Sequence, residues 1–163
     1  DRRSKGIAID CEMVGSGTKG RNSMLARVSI VDEDDKILYD SFVRPTETIT
    51  DYRTRYSGVK PSSMDRAKSF SRVQKKVATI IEGRILVGHD ISNDLRILNL
   101  KHPSHLTRDT SQYEKFKNLN NGSKPSLKFL TSELLDREIQ NGPHSSIEDA
   151  KATINLYSLV KEE

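Results

Sequence analysis

One cysteine, Cys11, in 163 residues leaves no partner for an internal disulfide. A reducing compartment is the expectation, and a single thiolate excludes a cysteine-based zinc cluster. Long apolar runs are missing as well. The longest fall far short of the roughly 20 residues that a membrane-spanning helix needs, and no secretory pattern opens the chain. A phosphate-binding loop is also lacking. The stretch GSGTKGRNS, residues 15–23, holds three glycines, but not at that loop's spacing, and no Gly-Lys-Ser follows. No internal repeat or linker divides the sequence, so residues 1–163 read as a single domain. That length can bury roughly 70% of its unfolded surface without covalent staples.

Charge, by contrast, is plentiful. Charged residues make up 31% and hydrophobic residues 34%, with a formal net charge of +4 and a pI near 9.2. This mild basicity suits an anionic partner without demanding one. If some of the acids cluster, the remaining surface is more basic than the net figure suggests.

The pattern predicts an α/β fold. Ile7, Ala8 and Ile9 form a short apolar run fit for a buried strand. MLARVSIV (24–31) and KILYDSFV (36–43) follow as strands, joined by the polar turn Asp32–Asp35, and the three suggest an antiparallel meander. Residues 45–61 look irregular. Phe70, Val73, Val77, Ile80 and Ile81 share a helical face that Gly83 ends, with Lys75 and Lys76 on the solvated side. RILVG (84–88) is a further strand, followed by a helix marked by Ile91, Leu95 and Leu98, with Asp90 as its N-cap. Residues 106–109 suggest a fifth strand, and 114–125 a basic loop. Leu127, Leu130 and Leu134 are helically spaced. A last helix opens with Ser145 and Glu148 as a capping box and carries Ile147, Ala150, Ile154, Tyr157 and Val160 as its apolar stripe.

Everything is arranged around the first strand. Side chains alternate across a strand, so Asp10 and Glu12 share one face beside an apolar interior. Burying two carboxylates is costly unless they are paired or hold cations. The spacing alone leaves a metal site and a surface strand end equally open, and Asp136 with Glu138, or Asp32 with Asp34, reads as solvated surface. Two further acids shift the balance. Asp94 lies one turn into the helix after RILVG, and Asp149 one turn into the last helix. Both can project towards the strand ends where open α/β sheets bind ligands. Four converging carboxylates suit two divalent cations and in-line attack on a phosphodiester, and oxygen ligands favour Mg²⁺ or Mn²⁺ over zinc. His144, on the loop before the last helix, is placed to activate a water.

Asp10-x-Glu12, Asp94 and His144-x-x-x-x-Asp149 resemble the three exonuclease motifs of the DEDDh family, within the ribonuclease H-like superfamily. A tyrosine in place of His144, at shorter spacing to the acid, is the mark of the sister DEDDy class. LARVSIV, DYRTRYSG, RILVGHD, RDTS, PSLKFLT and HSSIEDAKAT are similar to strings of the eukaryotic RNA exonuclease branch, and the resemblance runs from Gly6 to about Val160. It implies a five-stranded mixed sheet with flanking helices and removal of nucleotides one at a time from a 3′ end. It also implies two metal ions. Asp10, Glu12 and Asp149 hold the one beside the attacking water. Asp10, with Asp94 acting through water, holds the one near the leaving oxygen. His144 is the general base, and Mg²⁺ is the expected metal, with Mn²⁺ as substitute. Single-stranded RNA is the implied substrate, and ribosomal RNA processing in the nucleus or nucleolus the implied setting. The long basic extensions common in that branch are missing, so the chain reads as an excised catalytic domain.

Other residues carry a plain reading beside a functional one. Met13 faces away from the acid pair and packs in the core, or wedges beside the terminal base. Arg53, within DYRTRYSG, could meet phosphates or stack with bases, while Tyr52 and Tyr56 could simply pack together. His89, His102 and His105 read as structural or exposed, and Cys11 as a buried, inert thiol. Asp90 could compete as a ligand, though capping is the favoured reading. A 3′ exodeoxyribonuclease with the same site, and an inactive nucleic-acid-binding scaffold, are the alternatives.

Overall fold

The computed structural model describes residues 5–162, so the ends of the single domain expected over 1–163 lie outside the described residues. Strands β1 (Gly6–Ser16), β2 (Asn22–Asp32) and β3 (Ile37–Arg44) form the expected antiparallel meander. Asp32 builds the β2–β3 turn, with its Oδ1 accepting from the backbone N–H groups of Asp34 and Lys36 at 2.9 Å each. Both ends of the glycine-containing stretch after the first apolar run, residues 15–16 and 22–23, are strand. Strand pairing continues to Ser16 opposite Asn22, leaving only a 3₁₀ turn at Thr18–Gly20.

The segment read as irregular contains β4 (Ile49–Asp51), paired to the end of β1, and the one-turn helix α1 (Thr54–Ser57). A 3₁₀ turn at Pro61–Arg66 leads to β5 (Lys68–Ser69), parallel to β3. Next come α2 (Phe70–Ile81), β6 (Ile85–Gly88), α3 (Ile91–Leu98) and β7 (Thr107–Asp109). Helices α4 (Glu114–Asn118), α5 (Leu127–Leu135) and α6 (Ser146–Ser158) complete the chain. The order β5-β3-β2-β1-β6-β7, with β4 on β1, contains the expected five-stranded mixed body plus two short strands. Strands of two and three residues are too short to leave a periodic signal, and α4 is likewise a short helix inside the expected basic loop.

Alternation along β1 divides the core. Ile7, Ile9 and Cys11 face α2 and α3, packing with Val28, Ile30, Val73, Val77, Ile91 and Leu98. Ala8 faces the other way and packs with Val87, Ala150, Ile154 and Tyr157. Fully buried aliphatic side chains of this kind each stabilise the fold by roughly 1.5–3 kcal/mol. On that second layer, α5 rests on α6 through Leu127, Leu130, Ala152 and Leu156. Small residues at Gly6 and Ala8 let α6 lie close to β1. An added Cβ on Gly6 would stand 3.0 Å from the Tyr157 ring.

The sheet is incomplete in one place. β6 pairs with β1 only along Gly6–Ala8, and β4 meets β1 only at Gly15 and Ser16. Among the described residues, one edge of β1 has no neighbouring strand between those contacts, and that is where Asp10 and Glu12 sit.

Candidate active site

Asp10 and Glu12 lie on the α6 side of β1, as alternation demands. A bulge follows at once, with the pairing slipping between Glu12 and Met13. Across the layer, α6 presents Asp149 from its first turn. Its start is pinned to the sheet. Ser145 caps it by accepting from the Glu148 N–H at 3.5 Å, and Ser146 Oγ meets Ser29 Oγ on β2 at 2.6 Å in the interior. The capping box is only half formed, because the Glu148 carboxylate accepts from the Gln140 N–H at 3.4 Å. Asp94 comes from the first turn of α3 to the unpaired edge of β1.

These carboxyls are held in a poorly solvated, mutually repelling group. Glu12, Asp94 and Asp149 are 7, 5 and 3% exposed, and Asp10 is half-buried. Burial is the main cause of an Asp10 pKa well above the usual carboxylate range, with the charges of Asp94, Asp149 and Glu12 adding to it. Glu12 is pushed up to about 8, by burial first and then by Asp149, against the opposing pull of Arg27. Burial raises Asp94 to about 7, although the Cys11 thiol and backbone N–H hydrogen bond to it and favour its charged form. Burial also raises Asp149 to about 6, with the Gln140 side chain opposing.

Asp149 Oδ1 is buried without any hydrogen-bond partner among the described residues. An acceptor left bare beside three other acids is an arrangement that a cation resolves. Glu12, His144 and Asp149 each bring one ligand-type atom within 4.8 Å of the others. Asp10 lies outside that triplet but lines the same cavity of about 280 Å³, with Glu12, His144 and Asp149. Asp94 does not line the cavity and acts on the group from the strand edge. The donor set is almost all oxygen, which suits a hard divalent ion. His144 is half-buried, and its pKa is lowered by burial and then by the Lys128 charge, with Glu148 opposing. Among the described residues its ring makes no hydrogen bond, so both nitrogens are uncommitted.

Met13 sits on the opposite side of β1, against the Ile7–Ile9–Cys11 cluster, and lines a separate cavity of about 500 Å³ with Ser23, Asn93, Arg96 and Ile97. The Arg53 guanidinium donates to Ser23 Oγ and the Gly20 carbonyl at 2.8 Å each, and to the Asn22 carbonyl at 3.3 Å. Tyr52 packs against the Val14–Met24–Val59 cluster, whereas Tyr56 is 61% exposed with Arg55 over its ring.

The capping role expected for Asp90 does not hold. Asp90 occupies the N-cap position in a left-handed conformation (φ 57°) with no side-chain cap bond. Its carboxylate accepts from Ser111 Oγ at 3.1 Å and pairs with Lys124 Nζ at 2.7 Å. With that φ the side chain points to the β7 end rather than to its own helix. Cys11 is buried on the face opposite Asp10, as expected, but Asp94 reaches it there. Burial and then the Asp94 charge push the thiol pKa up, so it stays protonated and inert. His89 is structural, bridging Thr110 Oγ1 at 2.8 Å and the Pro125 carbonyl at 2.9 Å. His102 meets the Arg84 carbonyl at 2.8 Å, and His105 is exposed. Gln140 and Lys124 went unnoticed in the sequence. Both are on loops, where no periodicity marks a side chain that reaches a site.

A mixed sheet with paired acids on its central strand and further acids on two flanking helices defines a ribonuclease H-like exonuclease domain. Residues 7–157 match the exonuclease family RNase_T, and the chain belongs to that family. It is 54% identical over 159 residues to RNA exonuclease 4 of Aspergillus fumigatus, covering 97% of this chain and 51% of that protein. It is 47% identical over 160 residues to human RNA exonuclease 4, covering 98% of this chain and 38% of the relative. The chain thus spans about half of one relative and well under half of the other. Among solved structures, the Saccharomyces cerevisiae Pan2 pseudoubiquitin hydrolase–RNA exonuclease module in complex with AAGGA RNA superposes with a TM-score of 0.84 at 31% identity. That match covers 99% of this chain and 30% of the Pan2 chain.

Proposed function

We propose that this chain is the catalytic domain of a metal-dependent 3′-to-5′ exoribonuclease that removes nucleotides singly from single-stranded RNA. The observation that carries this reading is the convergence of Asp10, Glu12, His144 and Asp149 on one cavity at the open edge of β1. Glu12, Asp149, Asp10 and Asp94 would hold two divalent ions, Mg²⁺ with Mn²⁺ as substitute. The bare Asp149 Oδ1 and the repelling carboxyls support that fit. When bound, such ions supply Lewis acidity and neutralise charge at the phosphodiester. His144, with an uncommitted ring and a lowered pKa, accepts a proton from the attacking water at a ring nitrogen. Gln140 steadies the Asp149 carboxylate.

Substrate would lie along the open edge of β1. Met13 and its neighbouring cavity suit the terminal nucleobase, because an adaptable thioether packs against a flat ring. The Arg53 guanidinium, expected from the sequence as a contact for phosphate or bases, is spent on Ser23, Gly20 and Asn22 instead. Relatives named as RNA exonucleases, and the Pan2 module with bound RNA, support RNA over DNA. Ribosomal RNA processing in the nucleus or nucleolus is proposed as the chain's setting, on the resemblance of the sequence to the RNA exonuclease branch. It predicts that depleting the whole protein leaves 3′-extended ribosomal RNA precursors.

The direct test is a 5′-labelled single strand, RNA or DNA, incubated with and without Mg²⁺. A metal-dependent ladder of shortened RNA is the expected result. A faster ladder on DNA would favour the exodeoxyribonuclease. A shifted but intact strand would favour the inactive scaffold.

A further inference from the structure

A general base works only if its ring is held, and the loop that carries His144 has little structure of its own. Residues 137–145 carry no regular secondary structure, with positive φ at Gln140 (61°) and Gly142 (131°) and exposed residues at 141–143. What holds His144 comes from elsewhere in the chain. Its backbone N–H donates to the Tyr56 carbonyl at 2.9 Å. Its carbonyl lies against Gly58, so closely that an added Cβ there would stand 2.6 Å from that oxygen. Gly58 has φ 71°, a conformation in which other residues are strained.

The turn that makes these two contacts is itself rigidly built. Ser57 Oγ donates to the Tyr52 carbonyl at 2.8 Å and accepts from the Val59 N–H at 3.0 Å. Thr54 Oγ1 donates to the Val59 carbonyl at 2.5 Å, and Val59 is fully buried against Val14 and Met24. Arg53 ties the other end of the turn to Gly20, Asn22 and Ser23, at the hairpin joining β1 to β2. The backbone of His144 is therefore referenced to the strand that carries Asp10 and Glu12.

We propose that the Arg53–Gly58 turn is a positioning element for His144, with the Tyr56 carbonyl and Gly58 setting its backbone and Arg53 anchoring the turn. The proposal rests on the reading of His144 as general base. Gly58 and Arg53 touch no reacting atom in this role. They act through His144, so their loss should fall on kcat and spare KM. Displacing a catalytic group by about 1 Å can cost roughly 10²-fold, so Gly58→Ala should lower kcat on that scale.

The experiment is single-turnover and steady-state cleavage of an oligoribonucleotide at saturating Mg²⁺ by Gly58→Ala, His144→Ala, the double variant and Arg53→Ala, with a melting curve for each. The expected result is a kcat loss for Gly58→Ala with KM unchanged. The double variant should be no slower than His144→Ala, because two steps along one line of action do not add. Arg53→Ala should show a smaller kcat loss, equal on RNA and DNA, with an unchanged salt dependence. If Gly58→Ala does not fold, the Arg53→Ala result decides alone. Additive losses, or a Gly58→Ala enzyme with normal kcat, would overturn the positioning role and leave the base reading intact. For Arg53→Ala, a raised KM with a shallower salt dependence would also overturn it, by making Arg53 a substrate contact. Full activity of His144→Ala would remove the base reading and the positioning role together.

Discussion

Ser29 Oγ and Ser146 Oγ lie 2.6 Å apart inside the protein, joining β2 to the first residue of α6. Ser29 also donates to Asp40 Oδ1 at 2.8 Å, so its proton is committed there and Ser146 is the donor of the shared bond. Asp40 in turn holds Arg27 through two bonds of 2.9 and 3.0 Å. This chain of contacts sets how α6, and with it Asp149, stands over β1. Ser146→Ala should cost roughly 0.5–1.5 kcal/mol, a lost hydrogen bond. Ser29→Ala should cost more, about 1–3 kcal/mol, because it strands the buried Ser146 donor. Urea unfolding of both variants checks the order. Equal effects would mean that Ser146 finds another acceptor.

Metal removal is the second test. EDTA should abolish cleavage, and Mg²⁺ or Mn²⁺ should restore it. Ca²⁺ should bind but support little turnover, since its looser coordination misplaces the reactants. Divalent ions should also raise the Tm, as any ligand of the native state alone does. Undiminished activity in EDTA would rule out the metal mechanism.

Stability of the metal-free protein should depend on pH in an unusual direction. Unfolded carboxyls titrate near 4, whereas Asp149, Asp94 and Glu12 are raised to about 6, 7 and 8 by burial above all. Between those limits the folded state binds more protons than the unfolded one, so stability falls as pH rises. This contribution is fully present below about pH 4 and is lost progressively up to about pH 8. Thermal melts in EDTA should therefore show Tm declining from pH 5 to 8, and saturating Mg²⁺ should flatten the decline. Asp94→Asn removes one repelling charge, so it should abolish turnover yet leave the metal-free protein as stable or more so at pH 8. A large loss of stability would make Asp94 a structural residue through its bonds to Cys11.

His144→Ala should lose roughly 10²–10⁴-fold in single-turnover rate, the usual contribution of a general base. Metal and single-strand affinity should be retained. The acid limb of the wild-type pH–rate profile should fall below the ordinary histidine value of about 6.5, because burial and Lys128 lower the His144 pKa. The limb should move or vanish in the variant. A parallel loss of Mg²⁺ affinity would recast His144 as a ligand, a role that its closeness to Glu12 and Asp149 permits.

The sequence by itself determined the parts of this protein that repeat along the chain. Alternation along β1 put Asp10 and Glu12 on one face and Cys11 on the other. Helical periodicity located α2, α3, α5 and α6 and put Asp94 and Asp149 in first turns, and the ordered motifs pointed to the exonuclease family. Such patterns are local, so they survive without coordinates. Only the tertiary structure decided what depends on distance across the chain. The open edge of β1 exists because β6 stops after three paired residues and β4 returns at Gly15. Asp90 turned from its helix to Lys124, Arg53 to the β1–β2 hairpin, and the Tyr56 carbonyl to His144. Each joins residues far apart in the chain that share no period. Short polar side chains and carbonyls take whichever partner the packed layers bring within about 3 Å, and sequence spacing holds no record of that choice.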